Sequence, residues 1–480
     1  MGGPPADDIV GRDLSVFWHP CTQMRDHRAL PPLEVVGAHG CRLELADGRI
    51  LLDAIASWWC KSLGHGHPRV TAAIAGQLAR FEHVMVAGLT HAPLVRLCER
   101  LLALANGLPA AAWGPGAPAG APAGHVARVL LAENGSTAVE IALKLALQAQ
   151  AQRGQPGRTR FAAFANGYHG ESVGALSVGD LGLYAAPFAA LTFPVDILGP
   201  LPARSGPHDP RWLDVDAEWP AFAAALDGLA PTLAAVIYEP VLQAAGGMRL
   251  YSPALLARLA AWARDRGVYL IADEIAAGMG RVGAMLATHL AAPGAVPAVL
   301  PAGLPAVLPD FAVLGKGLTG GALPLSAVLT TDEVYRHFDA DHGAGRAFLH
   351  SNTHTGNALG VAAALGALDA YAEEDVLGQV RAQGAILRDE LTALAAARPF
   401  LRGVRAAGMV AAVDLTTADG ARRDPALRTG YRVYGEALRR GALLRPLGDT
   451  MYLCPPLTTS AEDLRAMLAI LAESVDAVLA

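Results

Sequence analysis

The sequence predicts an α/β fold, with a large domain on a mostly parallel sheet and a smaller α+β domain beside it. Three observations carry this. Between about residues 125 and 345, apolar runs of strand length alternate with helical stretches, the pattern of a sheet with helices packed on both faces. After Asn357 the alternation stops and a long Ala/Leu helix leads into shorter mixed elements. Hydrophobic residues make up 52% of the chain and charged residues 17%, which allows a large buried core and excludes global disorder.

The elements follow in order. Residues 1–75 form an N-terminal segment expected to pack with the small domain, residues 76–345 the large domain, and residues 346–480 the small one. The stretch 107–124 (GLPAAAWGPGAPAGAPAG) is of low complexity. Patterned sequence resumes on both sides of it, so it predicts an expanded loop rather than a boundary. Strands are expected at 127–131, 160–164, 234–238, 268–272, 311–314 and 326–330. Each should aim its C-terminal end at a ligand crevice. The stretch 291–309 carries prolines at 293, 297, 301, 305 and 309. So many helix breakers exclude a membrane span and predict a surface loop. A helix is expected over 358–373. A last one opens at Ser460-x-x-Asp463, a capping-box spacing, with Leu464, Met467, Leu468 and Leu471 on one face.

Charge and cysteine usage narrow the function classes. Lys+Arg number 38 against 44 Asp+Glu, a formal net charge of −6, which argues against a sequence-independent grip on nucleic acid. The five cysteines are scattered and form no C-x-x-C pair. Neither a disulfide framework nor a zinc site is predicted, and a reducing, cytoplasmic setting fits. The N-terminus has no basic or apolar region of a secretory signal. Lysine occurs only at Lys61, Lys144 and Lys316, so a primary amine stands out wherever it falls.

Four segments carry chemistry. In VLGKGLTGG (313–321), Lys316 follows an apolar strand and lies among glycines that let backbone approach a ligand. A lysine amine in an apolar pocket has a depressed pKa and attacks carbonyls; read alone, a surface lysine in a Gly-rich turn fits equally. In YLIADEI (269–275), Asp273 ends a buried strand. A carboxylate there can bind a metal, a ribose hydroxyl or a protonated ring nitrogen, and the chain lacks the phosphate loop that a Walker-type metal role requires. Asp273 and Lys316 are 43 residues apart and end nearby strands, which suits an electron-sink ring held between a carboxylate and an amine. In ENGST (133–137), a strand ends and a helix begins. Its free N–H groups and the hydroxyl of Ser136 make either a phosphate site or an ordinary cap. The apolar face of that helix reads Val139, Ala142, Leu143, Ala146 and Leu147. In NGYHG (166–170), Tyr168 lies between glycines and can lie flat on a ring. His350 and His354 have the spacing of a metal pair without a third ligand, and His65-Gly66-His67 reads as a turn; no metal site is predicted.

Together these segments resemble the class III (ω-) aminotransferases of fold type I, over almost the whole chain from about Trp18. The motifs are WHPCTQM (18–24), SWWCKSLGHGHP (57–68), HVMVAGLTHAP (83–93), ENGSTAVEIALKLAL (133–147), NGYHGESVGALSVGD (166–180), EPVLQAAGGM (239–248), IADEIAAGMGRVG (271–283), LGKGLTGG (314–321) and RPLGDTMYLCPP (445–456). The first three narrow the resemblance to the biotin-pathway branch. It implies a seven-stranded sheet and pyridoxal 5'-phosphate as cofactor. It also implies ping-pong transfer of the amino group of S-adenosyl-L-methionine to 8-amino-7-oxononanoate, giving 7,8-diaminononanoate. Lysine as donor, or a broader ω-amino acid transaminase, is the alternative.

By the same resemblance Lys316 is the Schiff-base lysine and proton shuttle, and Asp273 the partner of the ring nitrogen. Gly135 and Ser136 hold the phosphate, and Tyr168 lies against ring and substrate. Asn352 and Thr353 reach the phosphate from the neighbouring subunit, which implies a homodimer with shared sites. Trp58 and Trp59 form the apolar wall of the substrate channel, Ser351 contacts substrate, and Arg445 takes the keto acid's carboxylate, a role that suits a planar fork of donors. Three positions depart from the family: Cys21 stands where a substrate-recognising tyrosine is usual, Ser351-Asn352-Thr353 replaces Gly-Pro-Thr, and Glu171 replaces an aspartate.

Overall fold

The structure, a computed structural model, describes residues 8–291 and 308–479. Most of the proline-rich stretch expected as a surface loop lies outside the described residues.

The large sheet has seven strands: β1 Val126–Ala132, β2 Arg160–Phe164, β3 Asp196–Leu198, β4 Leu233–Tyr238, β5 Tyr269–Asp273, β6 Phe311–Leu314 and β7 Ser326–Thr331. Their spatial order is β1-β7-β6-β5-β4-β2-β3. Neighbours from β6 through β3 run parallel. The central strands are continuous apolar runs because both faces are covered. Alternate side chains go to opposite cores: Ile237, Ile271 and Val313 pack with helix α1 (Gly135–Gln152), while Val236, Leu270 and Ala272 pack with helix α2 (Pro253–Arg266).

Three expectations for the sheet and helix α1 need correction. Strand β7 runs antiparallel to both β1 and β6, so it offers its N-terminal end to the crevice; an apolar run does not encode its direction. Strand β3 was not foreseen, being three residues long and on the sheet edge. Leu147 is 38% exposed, whereas Val139, Ala142, Leu143 and Ala146 are buried.

The C-terminal part holds helices α3 (Ala358–Glu373), α4 (Val376–Ala396), α5 (Thr429–Arg440) and α6 (Ala461–Leu479). The 21-residue α4 corrects the expectation of shorter mixed elements between α3 and the last helix. Its buried positions are widely spaced (Val376, Val380, Leu387, Leu391), which blurred its period in so alanine-rich a sequence. A three-stranded antiparallel sheet (Leu401–Ala407, Val410–Leu415, Thr450–Leu453) lies among these helices. The cap of α6 forms as the spacing predicts, with Ser460 Oγ 2.9 Å from Asp463 Oδ2 and accepting from the Asp463 N–H at 3.1 Å. Leu464, Met467, Leu468 and Leu471 are all buried.

Strand Ile50–Asp53 of an N-terminal antiparallel sheet pairs in parallel with Ala442–Leu443, tying the two ends of the chain together. The low-complexity stretch 107–124 is fastened to helix Ala92–Ala105 through Trp113, which is buried and whose carbonyl accepts from Arg100, and through Arg96, which donates to Pro118 O at 3.1 Å.

Candidate active site

Strands β5 and β6 are adjacent and parallel, with Asp273 in register with Val313. Their C-terminal ends therefore deliver Asp273 and, just past Leu314, Lys316 to one edge of the sheet. Lys316 has a left-handed backbone, φ 44°. Its Nζ lies 5.4 Å from the centroid of the Trp59 ring. Burial pushes its amine below the ordinary lysine range, while Asp273 and Glu239 pull the other way. That is the state a carbonyl-seeking amine needs.

Asp273 is buried and held by two donors. Its Oδ2 lies 2.8 Å from His169 Nδ1, and its Oδ1 accepts the Ile275 N–H at 3.1 Å. The far nitrogen of that ring, His169 Nε2, is buried without a partner among the described residues. Behind them the buried Glu239 accepts the N–H groups of Tyr168 and Ala244, both at 3.0 Å. Burial pushes its carboxyl up to about 7. Neither His169 nor Glu239 was singled out from the sequence. Glu239 directly follows strand β4, so the strand-end reasoning that found Asp273 also reaches it. His169 stands beside Tyr168 in the same motif, but only the fold turns it toward Asp273.

Helix α1 starts at the same edge. Asn134 caps it, accepting the Thr137 N–H at 3.0 Å. Among the described residues, no protein acceptor takes the N–H groups of Gly135 or Ser136, the usual state of a helix's first turn. Ser136 Oγ accepts the Glu171 N–H at 3.2 Å. A Cβ on Gly135 would come within 2.7 Å of Ile275 Cδ1, so a larger residue there would crowd this edge.

Part of the lining is aromatic. Tyr168 donates to Glu171 at 2.9 Å and meets the Tyr184 ring edge-on at 5.7 Å. Trp59 is buried and donates to Tyr452 Oη at 3.1 Å, while Trp58 is 40% exposed, with the Arg445 guanidinium 4.9 Å from its centroid. Arg445 also donates to the Cys21 carbonyl at 2.9 Å. The Cys21 thiol lies 3.9 Å from Glu171, and burial, followed by that carboxylate, raises its pKa. Both tryptophans sit on a single left-handed turn. Ala56, Ser57, Trp58 and Trp59 have φ of 48°, 44°, 71° and 72°. At roughly 1–2 kcal/mol per residue, such a turn persists only where its surroundings impose it.

Lys316, Asp273, His169, Gly135, Ser136, Tyr168, Trp58, Trp59, Cys21 and Arg445 all line one cleft of about 2400 Å³. Ser351, Asn352 and Thr353 do not line it within one chain. Their segment meets the cleft's lining at Glu133, whose Oε1 accepts the His354 N–H at 2.8 Å. Lys144 contacts His350 at 3.0 Å. Among the described residues no group of three or more His, Cys, Asp or Glu side chains is placed to hold a metal ion. His65 Nε2 instead lies 2.9 Å from Asp53.

A buried lysine and a buried carboxylate at neighbouring strand ends, with a helix N-terminus beside them, match a known family. The family model for class III aminotransferases fits residues 23–475. The chain belongs to that family. Class III aminotransferases similar to it include two called adenosylmethionine-8-amino-7-oxononanoate aminotransferase. The one from Synechococcus elongatus is 39% identical, covering 96% of this chain and 98% of its own. The one from Helicobacter pylori is 32% identical, covering 98% of each. Among solved structures, the enzyme of the same name from Methanocaldococcus jannaschii superposes with a TM-score of 0.84 at 29% identity, covering 97% of this chain and 98% of that one. A PLP-bound amine transaminase from an uncultivated Pseudomonas species superposes with a TM-score of 0.83 at 32% identity, covering 96% and 99%. The expected fold type, with its mostly parallel seven-stranded sheet, is therefore the observed one. Among the described residues no helix is long and apolar enough to cross a membrane.

Proposed function

We propose that this chain transfers the amino group of S-adenosyl-L-methionine to 8-amino-7-oxononanoate in biotin biosynthesis, yielding 7,8-diaminononanoate, with pyridoxal 5'-phosphate as cofactor. The observation that carries the reading is the convergence of Lys316 and Asp273 on one cleft, in a chain whose relatives carry that enzyme's name over nearly their full length.

The residues present fit the cofactor. The open N–H groups of Gly135 and Ser136, at the positive end of an 18-residue helix, suit a phosphate. Asp273, fixed by His169, suits a protonated ring nitrogen, and the depressed amine of Lys316 suits an aldehyde. Tyr168 supplies a flat wall. When bound, the cofactor supplies an electron sink and carries the amine between the two substrates.

The chain's own residues do the rest. Lys316 Nζ takes the proton from the donor's α-carbon and later returns one to the acceptor. Arg445 takes the carboxylate of the keto acid, with Trp58 keeping its guanidinium in place. Trp58 and Trp59 line the path of the long apolar chain and exclude water from it. Ser351 contacts substrate, and Asn352 and Thr353 act on the phosphate of the partner subunit's site. Their position outside the cleft of their own chain supports this role, which requires a homodimer as the working unit; the five free cysteines support a reducing, cytoplasmic setting.

A second reading, with lysine as donor or a broader ω-amino acid transaminase, rests on Cys21. Its short side chain stands beside Glu171 and offers no ring to a substrate, while its carbonyl accepts from Arg445. A donor screen with 8-amino-7-oxononanoate as acceptor separates the two. Turnover with S-adenosyl-L-methionine alone supports the first reading and turnover with lysine the second, while no turnover of that acceptor with any donor refutes the first and leaves the broader ω-amino acid transaminase.

A further inference from the structure

We propose that Asp53 and His65, which do not line the cleft, are positioning residues that hold the left-handed turn carrying Trp58 and Trp59, and so govern acceptance of the long-chain acceptor. The inference rests on the transaminase reading above and deepens it.

Asp53 is fully buried at the end of strand Ile50–Asp53, whose backbone is fixed from both sides. Its carboxylate accepts four bonds. Oδ1 takes the N–H of Ile55 at 3.3 Å and of Ser57 at 3.0 Å, while Oδ2 takes Ser57 Oγ at 2.8 Å and His65 Nε2 at 2.9 Å. Three of the four come from the turn itself or its lead-in. The fourth, His65, is anchored by reciprocal backbone bonds with Gly40, at 2.8 Å and 3.0 Å. None of Ala56, Ser57, Trp58 and Trp59 is glycine, yet all have positive φ. L-residues adopt that region singly and rarely as a run, so an external grip is required, and Asp53 is the group placed to supply it. The turn's last residue then meets Tyr452 and Lys316, and its third meets Arg445. A relaxed, right-handed backbone at Ala56–Trp59 would re-aim both indoles. The chemistry at Lys316 would remain, but the wall along which the acceptor lies would be lost.

The test uses holoenzyme variants His65→Leu and His65→Gln, Asp53→Ala, and Ala56→Gly alone and combined with each disruptive change. His65→Leu is expected to raise KM for 8-amino-7-oxononanoate about tenfold or more, the effect of losing a hydrogen bond to a charged group. Borohydride should still fix the cofactor on Lys316 to the parental extent. His65→Gln, which keeps a donor for Asp53, should restore KM. Glycine adopts left-handed backbone without strain, so Ala56→Gly should be near parental alone and should recover part of the loss in both disruptive backgrounds. Should Asp53→Ala fail to fold, the His65 series decides by itself. Parental KM in His65→Leu, or no recovery by either His65→Gln or Ala56→Gly, overturns the proposal. A parent enzyme that does not turn over the acceptor refutes the underlying reading instead, so the two failures are distinct.

Discussion

His169→Leu removes one of the two donors that hold the Asp273 carboxylate. Both side chains are buried and 2.8 Å apart. A hydrogen bond to a charged group contributes about 1.5–3 kcal/mol. If Asp273 is the ring-nitrogen partner, its orientation and charge are worth that much to cofactor binding. Affinity for pyridoxal phosphate should then fall roughly 10- to 150-fold, at about 1.4 kcal/mol per decade. Leucine keeps the volume of the ring, and His169→Asn, which retains an amide donor, should lose less. The assay is equilibrium titration of cofactor-free protein with pyridoxal phosphate, followed by tryptophan fluorescence, beside a melting curve of the same sample without cofactor. Affinity within about twofold of the parent, in a variant that melts like the parent, would refute the idea that His169 orients Asp273 for the ring.

Two further outcomes follow from the site. Arg445→Lys keeps the charge but loses the fork and the contact with Trp58, so KM for the keto acid should rise about tenfold, with the donor half-reaction unchanged; equal effects on both half-reactions would contradict the assignment. Lys316 titrates below its ordinary value of 10.5, so between the lowered value and that one the unfolded chain holds a proton the folded chain has released, and stability of the cofactor-free parent rises with pH. Lys316→Met should therefore exceed the parent in stability near neutrality, by a gap that shrinks as pH approaches about 10.5. A gap independent of pH would place the amine in water.

Much of this was legible in the sequence because central strands of a covered sheet are uninterrupted apolar runs, and their ends announce themselves by a charged residue or glycine. Asp273, Lys316 and the Glu133–Ser136 turn were found that way, and α3 spans the predicted residues. What was not legible depends on geometry that no local pattern encodes. The direction of β7 is set by its neighbours, and the edge strand β3 is too short to carry a period. His169 reaches Asp273 across 104 residues of sequence. The left-handed backbone at Ala56–Trp59 has no glycine to mark it. Alanine-rich drift hid α4 and misplaced Leu147, since alanine fits inside and outside alike.

With lysine present only at Lys61, Lys144 and Lys316, the central claim reduces to one measurement. Holoenzyme is reduced with borohydride, digested, and its lysine peptides weighed. The account predicts the cofactor's mass on the peptide containing Lys316 and on neither of the others. Label on Lys61 or Lys144, or on no lysine at all, would contradict it.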